Sequence, residues 1–131
     1  MKQLLPEGWV RPKGYSAGIE VTAGRMVFVA GLVGWDENEQ FVSDDLVDQF
    51  RQVLINTCAV LHEAGAGPEH VVRMTWYVTN KQEYLSRLAE VGAAYRDVMG
   101  KNFPTMACVE VADLMEDRAK IEIETTAVIP A

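Results

Sequence analysis

The period of the apolar residues switches along this chain between about two, which marks strands, and about 3.6, which marks helices. The order of the switches leaves few folds open. Ser16–Val21 and Arg25–Leu32 read as strands separated by Thr22-Ala23-Gly24, which predicts a hairpin. Val33–Gln40, with Gly34, Asp36 and Asn38, reads as a loop. Asp44 or Asp45 can cap a helix running to about His62, with Leu46, Phe50, Val53, Leu54, Val60 and Leu61 on one stripe. Ala64-Gly65-Ala66-Gly67-Pro68 then ends it. Val71–Val78 is rich in β-branched and aromatic residues and reads as a strand. Thr79 or Asn80 caps a second helix, with Gln82 and Glu83 at capping-box distance and an inner stripe of Tyr84, Leu85, Leu88, Val91, Tyr95 and Val98. Asn102-Phe103-Pro104 leads into a strand over Thr105–Val111, Asp113–Ala119 is a polar turn, and Lys120–Val128 is the last strand. The order β-β-α-β-α-β-β predicts an α+β fold, a mixed sheet with two helices on one face.

At 131 residues the whole of 1–131 is one domain. Its formal net charge of −7, with no cluster of Lys or Arg, argues against nucleic acid and anionic membranes as partners. The N-terminal MKQLLPEGWVRP has no long apolar run, so neither a signal peptide nor a membrane span is expected. Cys58 and Cys108 have no metal or redox spacing, and reduced thiols in a cytoplasmic protein are the simpler reading. His62 follows a helical stripe and His70 sits in a turn, both read as solvated, and no pattern for a metal or other cofactor is present. Ser16 and Ser43 lack a nucleophile-elbow context.

Phe103-Pro104-Thr105-Met106-Ala107-Cys108-Val109-Glu110-Val111, followed by Lys120-Ile121-Glu122-Ile123-Glu124, reads as two strands whose Cys and Glu could face one pocket. The first segment resembles the signature of the RidA family (YjgF or L-PSP proteins), typically Pro-Ala-Arg-x-Cys-Val-Glu-Val. Four further stretches fit in order: Gly14-Tyr15-Ser16, Phe28-Val29-Ala30-Gly31-Leu32, Asp48-Gln49 through Asn56, and Leu61-His62-Glu63-Ala64-Gly65. The resemblance implies a chorismate-mutase-like fold and a homotrimer with three small-molecule pockets at subunit interfaces. It implies hydrolysis of a reactive enamine or imine to a ketone and ammonia. Carried over by position, Tyr15 matches the family's tyrosine, Gly31 its main-chain contact, Cys108 its pocket cysteine and Glu122 the glutamate that orients or activates water. Ala30 stands for a serine, Leu32 for a glutamine, Gly92 for a helix asparagine, and Met106 for the arginine that clamps the substrate carboxylate.

An arginine offers a carboxylate a planar pair of charge-assisted donors, and methionine offers none. Met106 therefore points to a larger, less anionic ligand, with Trp35 and Trp76 as aromatic walls or as core. Arg73 and Arg118 are the candidate replacement cations. Each residue also has a plainer reading: Met106 as core, Cys108 as a small buried hydrophobe, Glu122 as an exposed strand charge beside Lys120 and Glu124, and Tyr15 as a cap on the hairpin. Two functions stay open. One is an enzyme deaminating an imine or enamine whose carboxylate is absent or distant, with Glu122 handling the water. The other is a non-catalytic trimer that binds a metabolite or a protein. Ribonuclease activity fits the acidic charge least.

Overall fold

Gly24 decides how the chain enters its main sheet. Its φ of 155° is open to glycine, and a Cβ there would lie 2.4 Å from the Ile129 carbonyl oxygen. The chain from Gly24 onward therefore lies against the C-terminal strand instead of folding back on the segment before it. In the computed structural model, which describes residues 1–131, the strands are β1 (Lys2–Leu4), β2 (Gly18–Glu20), β3 (Gly24–Val33), β4 (Val71–Val78), β5 (Thr105–Glu110) and β6 (Ile121–Pro130). The expected hairpin between Ser16–Val21 and Arg25–Leu32 does not form. β2 pairs antiparallel with β1 in a small ribbon of its own, and β3 pairs antiparallel with β6. The main sheet has the order β3-β6-β4-β5, with β4 and β5 parallel.

Asp45 opens the long helix α1 (Leu46–Glu63), its carboxylate accepting the Asp48 N–H at 3.0 Å. Leu46, Phe50, Val53, Leu54 and Leu61 are buried along it, as their spacing predicts. Val60 departs from the stripe and is exposed, while Thr57 and Gln49 turn inward. Gln49 is a satisfied core amide. It donates to the carbonyls of Ser43 and Arg118 and accepts the Lys120 N–H, tying the segments that lead into α1 and β6 to the helix.

The second predicted helix is two. Asn80 caps α2 (Lys81–Ser86) by accepting the Glu83 N–H, and α3 (Leu88–Met99) follows after a break at Arg87. Ser86 bonds back to the Glu83 carbonyl, and the Arg87 guanidinium is held between Asp45 and Glu90. The break turns Leu85 and Leu88 outward, so the inner stripe is Val91, Ala94, Tyr95 and Met99. The helices cover one face of the sheet, and the core lies between them, around Phe50, Met74, Trp76, Ile121 and Ile123. The other face is open and carries Met26 and Phe28, 60% and 70% exposed. No helix is long and apolar enough to cross a membrane.

Just beyond β3, Gly34 is where the strand end and α1 touch backbone to backbone. A Cβ there would lie 2.5 Å from the Gln49 carbonyl oxygen and 2.7 Å from its Cα. Neither backbone can yield without disturbing the Gln49 bonds. Gly34→Ala is expected to lower unfolding free energy by about 1–3 kcal/mol, the usual cost of overpacking. A urea denaturation midpoint equal to that of the wild type would show that the contact relaxes freely.

Candidate active site

The strand register sorts the candidate residues onto two faces. Trp76 of β4 lies opposite Cys108 of β5 and Ile123 of β6, so these three share the helix-covered face. Met74 lies opposite Met106, which puts Met106 on the same side. Tyr77 lies opposite Glu122 and Val109, on the open face. Within one chain, then, Cys108 and Glu122 do not face one pocket. The strand between them, β4, and the parity of the register set them on opposite sides of the sheet.

On the open face, Glu122 meets a bulge. β3 gains one residue against β6 between Val29 and Leu32, so the strand bends at Ala30 and Gly31. A Cβ on Gly31 would lie 2.7 Å from the Glu122 Oε2, so the carboxylate rests directly on the bare Gly31 backbone. Ala30 is exposed beside it, while Leu32 packs against the main core. Tyr77, which the sequence reading passed over, stands next to Glu122 and donates its hydroxyl to Glu124 at 2.6 Å. That bond, with Glu122 and Glu124 close by, raises the Tyr77 pKa and keeps the phenol protonated.

On the helix side, Met106, Trp76 and Gly92 line one groove between α3 and β5, with a volume of about 180 Å³. Tyr84 lines it too, and its hydroxyl lies beside the Cys108 thiol. Burial pushes the pKa of both groups up, which favours the protonated thiol at Cys108. Tyr15 adjoins the groove. Ser16 is buried and bonded to Phe103 and Pro104, which holds the Gly14–Ser16 segment against the start of β5. Gly14 and Phe103 border both the groove and the hollow beside Tyr15.

The other expectations resolve as packing. Trp35 packs at a tilt against Phe41, ring centroids 5.6 Å apart, in a satellite cluster with Val33 and Leu114, away from the groove. Asn56 donates to the carbonyls of Val33 and Trp35, so the amide pattern of α1 closes the end of β3. Arg118 pairs with Asp44 at 2.9 Å and covers the Phe41 ring, and Arg73 lies on the open face near Phe28 and Glu124. Neither reaches Met106. The cations that do border the groove are Lys13 and Arg96, and the sequence reading named neither. His70 is not simply solvated, because its Nδ1 accepts the Gly67 N–H at 3.0 Å. Both cysteines are free.

The family described as endoribonuclease L-PSP matches residues 10–129. The chain belongs to that family, the RidA or YjgF proteins. A RutC family protein of Pyrococcus horikoshii is 34% identical over 130 residues, covering 97% of this chain and 98% of that one. The 2-iminobutanoate/2-iminopropanoate deaminase of Salmonella typhimurium is 34% identical over 117 residues, covering 87% and 86%. Among solved structures, the Rid family protein YyfB of Yersinia pestis is similar with a TM-score of 0.86, 34% identity and 98% of each chain covered. Its fold, like that of this RidA-family chain, is α+β and chorismate-mutase-like.

Proposed function

We propose that this RidA-family protein deaminates a reactive enamine or imine, and that it works as a homotrimer whose sites combine two chains. The carrying observation is the Glu122 carboxylate resting on Gly31 at the β3 bulge, on a face no helix covers. Relatives named as imine deaminases support the reaction class. Glu122 accepts a proton from water as that water adds to the imine carbon. That proton passes from Glu122 to the nitrogen to give the carbinolamine. Its hydroxyl proton then moves through Glu122 to the nitrogen as the C=O forms, the C–N bond breaks, and ammonia leaves carrying both protons of the water. An enamine enters the same path after tautomerising to its imine. No cofactor takes part in these steps. The groove on the helix side contributes apolar walls from Trp76 and Met106, with Gly92 also on the lining, and Tyr15 lies in the adjoining hollow.

The sheet supports the two-chain reading. Glu122 and the groove lie on opposite faces of one chain, and a site that uses both takes its groove from a second copy. The open face also exposes Met26 and Phe28, apolar surface on β3 suited to burial against another copy. Light scattering at micromolar concentration is expected to give three chains' mass, and a monomer there would overturn both the assembly and the shared site. Purified protein is expected to release ammonia from an apolar-bodied imine in a coupled assay. Failure across a broad panel of imines and enamines would leave the binding-module reading, which the donor-free Met106 favours. Ribonuclease activity remains the weakest reading. Glu122 and Glu124 on the open face, in a chain of net charge −7, repel a phosphate backbone.

A further inference from the structure

We infer that Arg96 is the anion-binding, specificity-determining residue of the groove between α3 and β5, and that the groove takes a ligand bearing a carboxylate on an apolar body. The inference rests on the groove being half of the proposed site. In a chain of net charge −7, the lining of this groove holds two cations, Lys13 and Arg96, and no carboxylate. The Arg96 guanidinium makes no hydrogen bond and no ion pair, unlike those of Arg51, Arg87 and Arg118, which are each matched to an acid. Arg11, Arg25 and Arg73 also lack an acidic partner, but of these four only Arg96 lines the groove.

Gly92 explains why the guanidinium lies there. Residues four apart share a helix face, and side chains lean toward the helix N-terminus. Arg96 therefore lies back over Gly92, where a Cβ would sit 3.3 Å from Nη1. A bare helix wall at 92 gives the guanidinium its seat. Beneath it the floor is apolar, and the buried Trp76 carries an Nε1–H with no acceptor. A cavity of roughly 150 Å³ is enough to hold benzene, so the groove's 180 Å³ accommodates a phenyl-sized body. Arg96 can then meet the carboxylate from α3, on a different wall from Met106 on β5.

The test is calorimetric titration of the full-length protein in its native assembly with 3-phenylpropanoate and with its uncharged amide. The acid is expected to bind at least about tenfold more tightly, as a charge-assisted pair requires. Arg96→Gln is expected to remove that preference with an unchanged melting temperature, and Arg96→Lys to keep part of it. Equal binding of acid and amide by the wild type, binding of neither, or a preference that survives Arg96→Gln would overturn the assignment. The deaminase reading is separated by ammonia release from imines. Turnover without carboxylate preference removes Arg96 alone, and carboxylate preference without turnover supports Arg96 while removing the deaminase.

Discussion

Glu122→Gln is expected to lower kcat for imine hydrolysis by roughly 10²–10⁴-fold, the usual effect of removing a general base. The amide keeps the shape and hydrogen bonding of the carboxylate but cannot take a proton from water. Glu122 is half-buried and lies between Val33 of β3 and Tyr77 of β4 in the ladder, so a nearly isosteric change leaves the sheet intact. Assembly and melting temperature are therefore expected to match the wild type. Gly31→Ala provides an independent check, because its methyl would meet Oε2 at 2.7 Å and push the carboxylate aside without altering its chemistry. Its φ lies outside the left-handed region, so the backbone bears no strain from the change and the loss should fall on turnover. A folded Glu122→Gln protein with wild-type kcat would reduce Glu122 to an ordinary strand charge.

The parts of this fold that were legible in the sequence depend on near neighbours. Asn80 and Asp45 were both named as possible caps, and each bonds a backbone N–H three residues on. Alternation in β6 put Glu122 opposite in facing to Ile121 and Ile123, both fully buried. The parts that were not legible depend on contacts between distant residues. The lost hairpin turns on Gly24 meeting Ile129, and the broken helix on Arg87 reaching Asp45. Neither pairing leaves a local pattern.

The candidate site divides in the same way. The resemblance offers Tyr15, Gly31, Cys108 and Glu122 as its residues, and of these Gly31 and Glu122 meet at the bulge. The division of the candidates between two faces was not legible, because it depends on β4 lying between β5 and β6 and on which residues face each other across it. Arg96 did leave a signal. A glycine four residues before an arginine on one helix marks a wall across which a long side chain can lie.

Small imino acids should be poor substrates. On 2-iminopropanoate, kcat/KM is expected to fall below that of the Salmonella typhimurium deaminase assayed alongside. Where the resemblance places a carboxylate-clamping arginine, this chain has Met106, which has no donor to offer. The loss of a desolvated charge pair is worth about 2–5 kcal/mol, which corresponds to roughly 30- to 5,000-fold. Arg96 does not restore it for so small a substrate. It reaches the groove from α3, whereas Met106 sits on β5, and a compact imino acid held at one wall is drawn away from the other. Met106→Arg is expected to recover part of the activity, limited by repulsion from Lys13 and Arg96, which line the same groove. Rates equal to those of the Salmonella protein in the unmodified chain would mean that a cation already clamps the small carboxylate. Arg96→Gln would then be the variant to abolish them.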